Sequence, residues 1–110
     1  MSARIDPVLD ALADPVRRGA IDLLRKRPRR AGDLASALKV TPPAMSRHLR
    51  VLRQTGVVEE QRGEEDNRVR VYRLRRQPFV ALQAWLDQVD AYWQDQLGSF
   101  KRHAERGKRR

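Results

Sequence analysis

The stretch TPPAMSRHLRVLRQTG, from Thr41 to Gly56, reads as one bounded helix with two unlike faces. Thr41 can cap the helix through its hydroxyl, Pro42 pre-sets the backbone of the first turn, and Gly56 stands where a left-handed stop belongs. At about 100° per residue, Met45, Leu49 and Leu52 share an apolar stripe. Pro43, Ser46, Arg47, Arg50 and Gln54 fall on the other side, so one face docks and the other is offered outward. Upstream, Asp33 to Leu38 reads as a short helix, and Lys39-Val40-Thr41 has the length of the turn that joins two crossed helices. The pair predicts a helix-turn-helix whose exposed, recognition segment runs from Met45 to Gln54.

Towards the N-terminus, Asp6-Pro7 and Asp14-Pro15 each place a capping carboxylate before a proline, which predicts two helix starts. The first helix is short, and Ile5, Val8, Leu9 and Leu12 make one side of it apolar. The second, about Pro15 to Lys26, is apolar at Val16, Ala20, Ile21, Leu23 and Leu24 and must end before Pro28. Its end is basic: Arg25, Lys26, Arg27, Arg29 and Arg30 predict a phosphate-facing edge, with Arg17 and Arg18 as weaker candidates for the same work.

Beyond Gly56, Val57 to Arg62 and Arg68 to Leu74 are rich in β-branched residues, and Gly63 to Asn67 between them is turn-like. This predicts a β-hairpin, a wing that carries Arg62, Arg68, Arg70, Arg73, Arg75 and Arg76. The tip residues Glu64, Glu65 and Asp66 repel phosphate, so the strand arginines are the expected contacts. From Pro78 to about Ala104 a long helix carries Phe79, Leu82, Leu86, Val89, Trp93, Leu97 and Phe100 at alternating spacings of three and four, with Trp85 and Tyr92 on one flank. That is nearly a heptad seam, and packing is the expected use of its aromatic residues. A small domain cannot cover such a helix alone, which predicts a two-fold dimer. Val8, Leu9 and Leu12 of the first helix and Leu82, Trp85, Leu86, Val89, Trp93 and Leu97 of the last are the expected interface.

The fold class that follows is mainly α with a two-stranded β-hairpin wing: four helices, two strands, one long helix. Residues 1–104 are expected to form one domain for DNA binding and dimerisation. The charged tail KRHAERGKRR is expected to fray, and residues 105–110 to be a disordered basic extension.

Composition narrows the function. A net charge of +10, from 24 Lys and Arg against 14 Asp and Glu, favours a polyanionic partner such as nucleic acid. No apolar run approaches the ~20 residues of a membrane span, and MSARIDPVLD lacks the regions of a signal peptide, so a cytoplasmic protein with no membrane partner is expected. Without cysteine there is no disulfide, thiol nucleophile or thiolate metal site. No Gly-rich phosphate loop and no Ser/His/Asp set in a forcing context is present, so no enzyme is expected.

The sequence resembles winged-helix regulators of the ArsR type. The resemblance rests on DPVRRGAIDLL (Asp14 to Leu24), DLASAL (Asp33 to Leu38), PAMSRHLRVLRQTGVV (Pro43 to Val58) and VYRL (Val71 to Leu74). It implies a homodimer formed by the first and last helices and an inverted-repeat operator, usually bound by a repressor that an effector releases. PFVALQAWLDQVDAYWQDQL, Pro78 to Leu97, resembles a subgroup often encoded beside helix-grip (SRPBCC) proteins. The chain departs from the metal sensors of the family: Arg30, Ala31 and Gly32 stand where those carry Cys-x-Cys, and His103 is the only histidine of the last helix. No metal and no cofactor is therefore expected.

Double-stranded DNA is the expected partner. Ser46, Arg47 and Arg50 are the principal candidates for base or phosphate contacts, Arg by bidentate donation to guanine O6 and N7 or to phosphate. Thr41 and Pro43 lie at the end that enters the groove first, and Arg62, Arg68 and Arg70 are the wing candidates. His48 lies beside the buried stripe and reads equally as a flank residue or a phosphate ligand; in the second case binding would depend mildly on pH. The alternative is a sequence-indifferent, chromosome-coating or RNA-binding basic protein, whose affinity would follow salt and ignore sequence. A protein-interaction module that has kept the winged fold is a further reading. A small-molecule effector, its chemistry unidentified, remains compatible with the aromatic residues of the long helix.

Overall fold

The computed structural model describes residues 5–108, so residues 1–4 and the last two residues of the basic tail lie outside the described residues. The order is α1 (Asp6–Leu12), α2 (Pro15–Leu24), α3 (Ala31–Leu38), α4 (Pro42–Gln54), β1 (Val58–Arg62), β2 (Arg70–Leu74) and α5 (Gln77–Lys108). This is the expected winged helix-turn-helix.

Local chemistry sets most of the boundaries. Asp14 caps α2, its carboxylate accepting from the amides of Val16 at 2.8 Å and Arg17 at 3.2 Å. Asp6 does not repeat the device. Ile5 is buried and already helical at φ −95°, and its carbonyl accepts from the Leu9 amide, so the helix begins one residue earlier than expected and Asp6 lies within its first turn. An N-cap carboxylate needs an extended backbone at its own residue, which this start removes.

Both helices of the helix-turn-helix end in the same way. Lys39 takes the left-handed conformation at φ 58°, and the amides of Lys39 and Val40 donate to the carbonyls of Ser36 and Ala35. Gly56, at φ 77°, does likewise: its amide and that of Val57 donate to Arg53 and Leu52. These are Schellman stops, and the second seats Val57 on Leu52, both fully buried. A lysine in the left-handed region is strained where glycine would not be, and the tight turn into α4 imposes it.

The core gathers one face of every helix up to α4 and the start of the wing: Val8, Ala11, Ala20, Leu24, Leu34, Ala35, Met45, Leu49, Leu52, Val57 and Val58. Val8 is 1% exposed, so it is covered within the protomer and leaves the set of expected dimer residues. The spacing had placed it on an apolar side of α1; that side divides, with Val8 turned inward and Leu9 exposed.

β1 and β2 are antiparallel, Val58 facing Leu74 and Arg62 facing Arg70. The expected start of the second strand at Arg68 moves to Arg70, because the Asp66 carboxylate accepts from the Arg68 amide at 2.9 Å and holds that residue in the turn. A single bridge adds Arg29 to the outer side of β2, its amide donating to Tyr72 at 3.1 Å and its carbonyl accepting at 2.7 Å.

Helix α5 spans 32 residues, about 48 Å at 1.5 Å per residue, and stretches the molecule to 74 Å along its long axis. Phe79 and Leu82 pack against the core; further along, Trp93, Leu97 and Phe100 are 57%, 60% and 74% exposed. The helix continues past Ala104 to Lys108, through part of the tail expected to fray. Lys, Arg, Glu and Ala there are good helix formers, and packing is not needed to keep the turn going.

Candidate nucleic-acid interface

Helix α4 is held from behind. Met45, Leu49 and Leu52 are buried, which fixes its rotation and turns Pro43, Ser46, Arg47 and Arg50 to the outside, where all four are exposed. Thr41 caps it as expected, its hydroxyl accepting from the Ala44 amide at 3.3 Å and keeping its own proton free to donate. Among the described residues, Arg47 and Arg50 have no carboxylate within 4 Å. Arg53, one turn on, is different: its guanidinium meets Glu60 of β1 at 2.7 Å, tying the end of the helix to the wing.

The wing arginines separate in the same manner. Arg70 lies 3.6 Å from Glu60, and Arg68 lies 3.3 Å from Asp66. Arg62 has no carboxylate within 4 Å among the described residues, and of the three wing candidates it alone is free. Asp66 is held below the usual carboxylate range chiefly by the amide and side chain of Arg68. The tip therefore keeps its negative charge, which agrees with the expectation that strands rather than tip meet phosphate.

His48 is half-buried, and its Nδ1 lies 3.4 Å from Nη1 of Arg17. An arginine can only donate, so the contact is a hydrogen bond in the tautomer that leaves Nδ1 as the acceptor. Arg17 also donates from Nε to the Ala11 carbonyl at 2.7 Å and from Nη2 to the Asp10 carbonyl at 3.1 Å. It thus bridges the end of α1 to the middle of α4. Arg18 caps the same helix end, donating to the Leu12 carbonyl at 2.6 Å. Both were weak phosphate candidates; the structure commits them to backbone carbonyls instead. The sequence held one clue to this. Only Ala13 and Asp14 separate α1 from α2, so arginines in the first turn of α2 must lie beside the carbonyl end of α1. Glu60, which gathers Arg53 and Arg70, was not foreseen and carries no sequence signal beyond its alternation with Glu59.

The basic segment between α2 and α3 is likewise divided. Arg29 is half-buried, donates to the Leu23 carbonyl at 3.3 Å and pairs with β2, so its role is structural. Arg30 precedes α3 and is exposed.

Residues 14–60 match the family described as "Bacterial regulatory protein, arsR family". A further match covers more of the chain: the HTH-type transcriptional regulator Rv2034 of Mycobacterium tuberculosis is 37% identical over 82 residues, which are 74% of this chain and 74% of that one. The chain belongs to the ArsR family. Within the family it is also similar to the transcriptional repressor SdpR of Bacillus subtilis, 38% identical over 55 residues, half of this chain and 61% of SdpR. The chain thus spans about half to three-fifths of the length of SdpR and of the M. tuberculosis repressor SmtB. Among solved structures, an ArsR-like regulator from Rhodococcus sp. RHA1 superposes with a TM-score of 0.77 at 27% identity, covering 94% of this chain and 92% of that one. A homodimeric winged helix-turn-helix DNA-binding domain from Mycobacterium bovis gives 0.61 at 30% identity over 80% and 78%.

The residues do not fit a family metal site. Arg30, Ala31 and Gly32 offer no ligand, and among the described residues no group of three His, Asp or Glu side chains comes together. Among the described residues, no helix is long and apolar enough to cross a membrane.

Proposed function

We propose that the protein is a cytoplasmic, non-enzymatic transcriptional repressor that binds an inverted-repeat operator as a homodimer. The observation that carries the reading is the division of α4: three buried apolar side chains lock its rotation, and Ser46, Arg47 and Arg50 project from it with no internal partner among the described residues. Arginine has no better use at such a site than a guanine edge or a phosphate. Arg62 supplies a backbone contact from the wing, and Thr41 and Pro43 lead the helix into the groove. Names of relatives support the class: SdpR is a repressor, and the M. bovis domain is a homodimer.

Dimerisation follows from α5. Its exposed Leu86, Val89, Trp93 and Leu97 continue the seam begun by Leu82 and Trp85, and a second α5 is the partner of matching period. Leu9 and Leu12 of α1 lie on the same account. A two-fold dimer sets its recognition helices about 34 Å apart, which requires an imperfect palindrome.

The test is fluorescence anisotropy on the protein's own upstream region and on a base-shuffled duplex of equal length, across about 50 to 200 mM salt. A gap of about a thousandfold at physiological salt is expected. Coincident curves that fall together with salt would mean a sequence-indifferent binder and would end the repressor reading.

A further inference from the structure

Two grooves flank β2, and their charges differ in kind. The groove at the wing tip is lined by Arg27, Arg30 and Arg62 together with Glu64, Glu65 and Asp66, so its lining carries both signs of charge. The groove at the base of the wing, about 580 Å³, is lined by Arg25, Lys26 and Arg27 from the segment after α2 and by Arg73, Arg75 and Arg76 from the end of β2. Among the described residues no carboxylate lines it. Asp22 and Glu59 stand beside it, at 3.7 Å from Arg25 and at 3.4 and 3.9 Å from Arg73 and Arg75. Lys26, Arg27 and Arg76 have no carboxylate within 4 Å among the described residues. Six basic residues border one groove, and the two neighbouring carboxylates offset only part of their charge.

We infer that the groove at the base of the wing is a binding site for a small polyphosphate anion. Five of the six cations are arginines, whose planar forks match phosphate oxygens in pairs. Leu24 and Leu74 give the groove an apolar floor, and the bridge from Arg29 to Tyr72 fixes its two walls relative to each other. No lining residue belongs to α4. The wall Arg73 to Arg76 leads away from the acidic tip toward α5, and the Arg75 amide bonds to the Val57 carbonyl just beyond the C-terminal end of α4. The site therefore lies at the opposite end of the hairpin from the tip, at the junction of the wing with α5, and it stands independently of the DNA reading.

The probe is inorganic tripolyphosphate, titrated calorimetrically into the full-length protein at about 150 mM salt. One site per protomer with a dissociation constant of tens of micromolar or below is expected. Arg27→Ser with Arg76→Ser removes two exposed, unpaired cations and should weaken binding at least tenfold while the circular dichroism spectrum is unchanged. Arg47→Ala with Arg50→Ala should leave it intact. Absence of binding, binding indifferent to the groove variant, or binding lost equally in the α4 variant would overturn the inference. So would a groove variant whose only effect is a shallower salt dependence of DNA affinity, since the groove would then be a DNA-backbone edge.

Discussion

Arg17 offers the sharpest test of how the domain is held together. Arg17→Met keeps the aliphatic stem and removes three interactions: 2.7 Å to the Ala11 carbonyl, 3.1 Å to the Asp10 carbonyl and 3.4 Å to His48 Nδ1. A hydrogen bond from a charged donor contributes about 1.5–3 kcal/mol. The Asp10 bond is exposed and competes with water, so it adds little, and the Ala11 bond in the half-buried joint should dominate. A loss of about 2–3 kcal/mol follows, read as a fall of about 1–2 M in the urea midpoint at fixed protein concentration. Arg17→Lys should recover less than half, because an ammonium cannot span two carbonyls and an imidazole from one position. Operator affinity should also fall, since His48 loses the contact that ties α4 to α1. A midpoint shift worth less than about 0.5 kcal/mol, or full recovery with lysine, would refute the bridging role.

Gly56→Ala should cost about 1–2 kcal/mol in the same assay, with Gly56→Asn milder. The added Cβ meets only ordinary contacts at 3.8 and 3.9 Å, so the cost is the positive φ itself. Asp14→Ala should cost about 1 kcal/mol at pH 7. Burial opposes ionisation of Asp14, but the amides of Arg17 and Val16 and the nearby His48 and Arg17 outweigh it and lower its pKa. Its contribution is therefore present above the unfolded value of about 4 and lost as pH falls through the lower folded value; melting curves of the two proteins should converge in that acidic window. Trp93→Asp with Leu97→Asp should turn the dimer into a monomer by light scattering, and an unchanged mass at micromolar concentration would remove α5 from the interface. Arg47→Ala should cost about 1–3 kcal/mol on the operator and relax specificity at one base pair, whereas Arg62→Ala should weaken all duplexes alike and reduce the salt slope by about one.

What the sequence disclosed and what it hid follow a physical line. Periodicity located α4 and its inward residues because a helix one side of which is buried must repeat at 3.6 residues, and the structure buries Met45, Leu49 and Leu52. Caps located α2 and α4, since Asp14 and Thr41 both accept the expected amides. The same rule missed at Asp6, where burial of Ile5 overrode the local preference. Val8 was misplaced because an apolar side on a two-turn helix does not say which neighbour covers it. The largest blind spot was charge. Arg17, Arg18 and Arg29 look like phosphate ligands in one dimension, and only the approach of a carbonyl end from another helix shows that they are occupied.

That occupation changes what the net charge of +10 means. Three arginines serve backbone carbonyls, and Arg53, Arg70, Arg73 and Arg75 share Glu59 and Glu60. An arginine that must abandon a half-buried carbonyl to reach a phosphate leaves that acceptor unsatisfied, and one that must first break a surface ion pair gains less than a free one. Among the proposed DNA contacts, Arg47, Arg50 and Arg62 are the cations left free, whereas the free Lys26, Arg27 and Arg76 line the groove at the base of the wing. If every positive charge were equally available, the duplex could be gripped from many sides and sequence would matter little. By tying down seven arginines, the fold narrows the proposed DNA contact towards the side chains that reach the groove, so a strongly basic chain can still discriminate one duplex from another.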